Sequence, residues 1–359
     1  MITNKTWGHF WLNEGWTTWL QRKIMSAVCS DPKTGSGVYG LDALGGWKSL
    51  QDDVALHKAE ETIMVLKLGD GDPDDAYSSV PYEKGFNLLH CLEGLVGEDA
   101  FLEFTKAYIR TFKYKTITSE EFRAFFNDHF KGTAEESKAS TFDWDEWLYK
   151  PGMPPASYDP NFDRSLAEDA ETLASDWLDF DAGKITGTAA PGTGENIASW
   201  STAQRTWFLD VLLSAVENRS KPLSPETIEA MNRLYGFGEQ KNAEVLFRFL
   251  MLAVPTASPG SNILEVTTRF ITTQGRMKYV RPLYRALRDS GSENRSLAIS
   301  TFLANADFYH PIASKMLAND LSVGGSKAKC GDKTKKMLIA GVVVAVVVGI
   351  GMALVRRRR

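Results

Sequence analysis

The run NKTWGHFWLNEGWTTWL, residues 4–20, decides how this chain is read. Trp7, Phe10, Trp11, Trp16 and Trp19 include pairs three and four residues apart, the spacing of a helix, and Glu14 stands among them. A carboxylate in such company is costly unless a cation, a metal or several donors compensate it. Composition alone leaves two readings open: Glu14 is a metal ligand, or it sits at the helix edge and reaches water.

Working outward, apolar residues recur at helical spacing over Phe86–Leu95, Ala100–Phe112 and Ser119–Phe130, with Ser119 ahead of Glu120 and Glu121 as a helix start. KPGMPPASYDPN, 150–161, stacks prolines with a glycine and blocks helix continuation, which places a domain boundary there. Asp181–Glu195, rich in Gly, Thr and Ala, reads as a surface loop or disordered insert. Beyond it the pattern predicts helices over 199–216, 224–235, 239–252, 261–274, 278–289, 293–305 and 308–319. Ser224 and Pro225 fit an N-cap and a first helical position. Paired amphipathic helices with short turns stack into a superhelix, so the fold class is mainly α with a solenoid-like second part, although no strict repeat is present.

The net charge of −4 hides an asymmetry: positions 327–359 hold nine Lys/Arg and one acid, which leaves 32 basic and 44 acidic residues, or −12, before them. An acidic body argues against nucleic acid as a partner, because phosphate backbones are held by Lys and Arg. Cys29, Cys91 and Cys330 are odd in number and widely spaced, which suggests neither a disulfide framework nor a cysteine zinc site and fits a reducing compartment. Met337–Val355 carries no charge over nineteen residues between KTKK and RRRR. As a helix it would span about 28 Å, close to the hydrocarbon thickness of a bilayer, so we expect a transmembrane tail after a linker at 322–336.

Beyond these readings, HFWLNEG (9–15) resembles the second half of the gluzincin aminopeptidase signature, in which an HExxH helix supplies two histidine ligands and NEG a glutamate. NKTW (4–7), ALGGW (43–47), DPD (72–74), AYSSVPYEKG (76–85), WLYKPGMPP (147–155) and QGRMK (274–278) are similar to the leukotriene A4 hydrolase branch of zinc aminopeptidases, peptidase family M1. The resemblance implies the C-terminal helical part of a thermolysin-like catalytic domain over 1–150 and a linker with a flexible insert over 151–198. An armadillo/HEAT-like α-solenoid follows over 199–321.

It also implies roles. Glu14 is expected to be the third zinc ligand, Tyr82 the donor to the oxyanion of the tetrahedral intermediate, and Tyr77 a second active-site tyrosine. Asp74 matches the carboxylate that directs water in epoxide hydrolysis. Arg276 and Lys278 match the pair that binds the substrate carboxylate, and Phe10, with Trp7, would line a hydrophobic substrate pocket. Without the resemblance, a tyrosine beside a proline is a packing residue, two cations after Gly275 are a solvated pair projecting from a turn or first helical turn, and aromatics at helical spacing are core. Two departures stand out. No two of the five histidines are four apart, so HExxH and its general-base glutamate are not within these residues, and Gly8 and Gln21 stand where the branch often has acids. The expected function is a zinc metalloaminopeptidase acting on peptide N-termini, with a fatty-acid epoxide as a second substrate class, its body cytosolic and its tail in a membrane; this chain is expected to be an incomplete part of it, inactive alone and binding zinc weakly or not at all. The alternative is a non-catalytic, membrane-tethered helical interaction protein derived from such an enzyme.

Overall fold

The computed structural model describes residues 1–69, 77–184, 190–192 and 197–323. They fall into two compact units, one ending at Leu252 and one starting at Ala253. The first opens with α1 (Trp11–Ala27), α2 (Pro32–Leu56) and α3 (Val80–Val96) and continues through α4 (Glu98–Phe112), α5 (Ser119–Phe130), α6 (Glu136–Ser140) and α7 (Trp144–Tyr149). Then come α8 (Ser165–Asp181), α9 (Thr202–Arg219), α10 (Pro225–Tyr235) and α11 (Ala243–Ala253). Thr3–Asn4 (β1) and Thr116–Ile117 (β2) pair in parallel and tie the chain start to the entry of α5.

Why α1 packs as it does follows from its aromatics. Trp11 and Trp19 are buried, and Trp16 stacks on Tyr108 at 5.2 Å and on Phe101 at 6.0 Å, so α4 and α5 close over one face of α1. The adjoining stripe of the helix, Trp11–Gly15–Trp19, crosses α3 at two glycines. A β-carbon on Gly15 would lie 2.8 Å from the Gly85 carbonyl carbon, a backbone-to-backbone approach that only glycine permits. The glycine of NEG therefore meets the glycine of EKG. The glycine-rich α2 is a weak helix former by propensity. Asp31, capping Thr34 N, and Pro32 start it, and Gly37 and Gly40 let it lie directly against residues 163–166.

Three elements differ from the sequence reading. The cap of α5 is Thr118, not Ser119: Thr118 and Glu121 form a reciprocal capping box, while Ser119 is buried and spends its hydroxyl on Trp11 and His9. Residues 165–181, within the stretch taken as linker and insert, form α8, whose alanines and Trp177 pack inward. The KPGMPP turn belongs to the first unit, with Pro154 and Pro155 buried. Most of the glycine- and threonine-rich insert, and the whole apolar run Met337–Val355, lie outside the described residues, among which no helix is long and apolar enough to cross a membrane.

In the second unit α12 (Asn262–Thr273), α13 (Met277–Asp289), α14 (Ser292–Asn305) and α15 (Pro311–Asp320) pack around α13. Buried Tyr284 donates to Tyr309 at 3.0 Å, and Tyr309 donates to the Ile271 carbonyl at 2.8 Å. Arg281 and Arg285 both reach Asp320 at 2.8 Å, which holds its carboxyl below the usual range.

Candidate functional site

The α1–α3 crossing sets out the site. On α1, Glu14 directly precedes Gly15; on α3, Tyr82 lies three residues before Gly85, close to the helix start. That start is fixed by the Asp53 carboxylate, which accepts from Ser79 N. Tyr82 meets the edge of Phe10 at 6.1 Å between ring centroids, and its hydroxyl is 3.4 Å from that of Tyr77. Burial, the Tyr77 hydroxyl and the nearby negative charge of Glu14 all raise the Tyr82 phenol well above its ordinary value, so it is a proton donor throughout the neutral range. Burial likewise raises the Glu14 carboxyl, against a lowering by Thr17. Glu14 and Tyr82 thus lie within electrostatic reach of each other. Asp74 lies outside the described residues.

Beside Tyr82 opens a cavity of about 170 Å³ lined by Trp7, Phe10, Ile63, Leu66, Tyr77 and Val80, among others. An apolar cavity of about 150 Å³ holds benzene. The described part of this cleft therefore suits one side chain of leucine or phenylalanine size. Gly8 explains its departure from the resembled pattern, since a β-carbon there would stand 2.5 Å from the Leu66 carbonyl oxygen. The cleft wall occupies the space an acid would need.

The strings that carried the resemblance also bind one another. Asn13 of WLNEG accepts from Asn4 N of NKTW at 3.0 Å. Arg22, 3% exposed, forks onto Glu83 at 2.9 and 3.1 Å, bonds Asp42 at 3.0 Å and stacks on Phe86 at 4.0 Å. A side chain at Gly46, within ALGGW, would overlap that ion pair. Lys84 is fully buried and donates to the carbonyls of Lys150 and Gly152, inside WLYKPGMPP. Sequence reasoning missed Arg22, Asp42, Glu83 and Lys84. The signal available was two charges placed between Tyr82 and the buried Gly85 on a helix otherwise rich in apolar residues.

Arg276 and Lys278 belong to the second unit. Arg276 caps the start of α13 in extended backbone and Lys278 lies in its first turn. Because Arg276 is outside the helix, the two cations do not diverge: each lies 5.6 Å from the Tyr279 ring, and both are exposed. Among the described residues no group of three His, Cys, Asp or Glu side chains could hold a metal. Glu14 fits as a single ligand, half-buried and with no cation paired to it among the described residues, but not as a whole site.

Comparison with known proteins places the chain in a class, that of the M1 peptidases. The profile of the peptidase family M1 domain matches residues 1–147 and that of the leukotriene A4 hydrolase C-terminal region matches 200–321; the chain belongs to this family and corresponds to its C-terminal part. Leucine aminopeptidase 2 of Aspergillus niger is 40% identical over 324 residues, 89% of this chain and 49% of that protein. The Ajellomyces capsulatus leucine aminopeptidase 2 is 38% identical over the same share of this chain. The structure of yeast leukotriene A4 hydrolase in complex with bestatin superposes with a TM-score of 0.78 at 32% identity, covering 89% of this chain and 51% of that one. The chain thus spans about half the length of the relatives it matches.

Proposed function

We propose that this chain is the C-terminal half of a zinc aminopeptidase of the leukotriene A4 hydrolase type, cleaving N-terminal residues from peptides. The observation that supports the reading is the Gly15–Gly85 crossing, which brings the helix of Glu14 against that of Tyr82, whose ring meets Phe10 of the cleft. Glu14 would hold the metal. Zinc, when bound, polarises a carbonyl and acidifies water. The other two ligands and the general base come from residues outside this chain, whose histidines offer no pair four apart.

Within the chain, Tyr82 keeps its proton and offers it to the oxygen on which charge develops. Tyr77 bonds the Tyr82 hydroxyl and aims it. Phe10 and Trp7 receive the apolar side chain of the terminal residue. Arg276 and Lys278 take the substrate carboxylate in this reading, and Asp74 directs water if an epoxide of a fatty acid is the substrate. The described cleft, sized for one side chain, favours the peptide use. Module limits at 150 and 198, a cytosolic body and membrane insertion through Met337–Val355 belong to the same proposal.

The test is a chimera in which the first half of Aspergillus niger leucine aminopeptidase 2 is joined to this chain. Chelator-sensitive hydrolysis of leucyl anilide, lost on Glu14→Ala, is the expected result, with the chain alone inactive. A folded, zinc-loaded chimera with no hydrolysis, or chelator-sensitive hydrolysis by the chain alone, would overturn it.

A further inference from the structure

Lys84 exposes no surface, and burial pulls its ammonium down from the ordinary lysine range to about 8. A buried cation is normally matched by a carboxylate. Here its partners are two neutral carbonyls, Lys150 O at 2.9 Å and Gly152 O at 3.0 Å. Those carbonyls flank a turn that Gly152 closes at φ 87°. The turn is in turn bonded to the cleft. Gly152 N donates to Thr62 Oγ1 at 2.7 Å, Thr62 donates to the Ala59 carbonyl at 2.7 Å, and Val65 N donates to Leu148 O at 2.9 Å. Ile63 and Met64, which these bonds bracket, and Leu66, which follows them, line the cavity beside Tyr82.

One helix therefore carries both sides of the arrangement. Tyr82 points from α3 toward the cleft, and Lys84, two residues on and hence on another face, grips the turn from which the cleft's far wall hangs. We propose that Lys84 is a positioning residue: its ammonium holds residues 62–66 at a fixed distance from Tyr82 and so sets the size of apolar side chain the cleft accepts. The size claim rests on the reading of this cleft as a substrate site; the wall-holding claim does not.

Two measurements on the full chain separate these claims. In Lys84→Met, which keeps the length and removes the donors, hydrogen exchange at the Val65 and Gly152 amides should accelerate about tenfold while α4 and α5 keep their protection. Thr62→Val, which leaves Lys84 intact and removes the oxygen that accepts from Gly152, should accelerate the same amides and no others. Should Lys84→Met not fold, Lys84→Gln, whose shorter side chain does not reach both carbonyls, decides the matter by the same two amides. Unchanged exchange at those amides, or acceleration spread equally over α4 and α5, overturns the proposal. For the cleft, binding of 4-fluorobenzyl alcohol followed by ¹⁹F NMR should weaken about threefold or more in Lys84→Met. Local acceleration with unchanged probe affinity would show that the wall keeps its place without Lys84, and overturns the size claim. If the wild-type chain does not bind the probe, or Phe10→Ala does not weaken it, the substrate reading of the cleft fails and the size claim with it, while the exchange data still decide whether Lys84 holds the wall.

Discussion

Gly15→Ala tests the crossing on which the whole site depends. The new methyl would stand 2.8 Å from the Gly85 carbonyl carbon and 2.9 Å from its Cα. Non-bonded carbons rest at about 3.5–4.0 Å, so the two helix axes must part by about 0.7 Å or more. Both obstructing atoms are backbone and cannot rotate away, which puts the cost at the upper end of the overpacking range, about 3 kcal/mol. Replacing a helical glycine by alanine returns about 1 kcal/mol, leaving a net loss of about 2 kcal/mol. For a unit of this size that lowers the melting temperature by about 4–8 °C. Gly45→Ala in α2 is the matched control, because a β-carbon there meets nothing within 4 Å and the propensity gain stands alone. It should raise the melting temperature by about 2–4 °C. Thermal unfolding followed by far-ultraviolet circular dichroism reads both. If Gly15→Ala melts at or above the wild type, as Gly45→Ala should, the helices do not meet as closely as described and the placement of Glu14 against Tyr82 loses its basis.

Other perturbations probe single links. Arg22→Met leaves Glu83 buried without a cation and should destabilise by about 3 kcal/mol at neutral pH; because burial already raises the Glu83 carboxyl, part of the loss should return in denaturant titrations at lower pH, and equal loss at both would exclude the ion pair as the cause. Lys84 gives a slope of the opposite sense. Its folded value of about 8 lies below the ordinary 10.5, so the unfolded chain binds the proton more tightly and stability rises with pH through this window. Between about pH 8 and 9.5 the wild type should gain about 2 kcal/mol relative to Lys84→Met, and parallel pH profiles would refute this. In the chimera, Tyr82→Phe should cut turnover by about two to three orders of magnitude, and unchanged turnover in a folded protein removes the hydroxyl from the mechanism. Arg276→Ala in the same chimera should weaken peptides with a free terminal carboxylate more than amide-capped ones; equal loss makes the residue structural.

The helices were legible where periodicity was strong. The seven segments read between 199 and 319 all correspond to helices, within a few residues at the ends. α2 was not legible, because its glycines mimic a loop in propensity and reveal their purpose only when residues 163–166 lie against them. The cap of α5 shifted from Ser119 to Thr118 because a buried indole and an imidazole claim the serine hydroxyl, a tertiary demand that local capping rules cannot see. Of the candidate site, Glu14, Phe10, Tyr77 and Tyr82 were singled out through the resemblance, and in the structure Tyr82 is in ring contact with Phe10 and Tyr77 and within reach of the charge on Glu14. The cations beneath them were not found, since a charge buried in a helix looks in sequence like a charge on its solvated face.

That blind spot also explains why the resemblance was so dense along discontinuous strings. NEG and EKG share a glycine crossing; ALGGW makes room for the Arg22–Glu83 pair; EKG and KPG share a buried ammonium; NKTW and NEG share an asparagine bond. Each string is constrained by another, so a substitution in one has to be answered across the fold rather than by its sequence neighbours. In the proposed reading the chemistry needs only Glu14, Tyr82 and their immediate company. The remaining residues of those strings hold α1 and α3, and with them Glu14 and Tyr82, at close range, and a helix crossing without side chains is the shortest way to hold them.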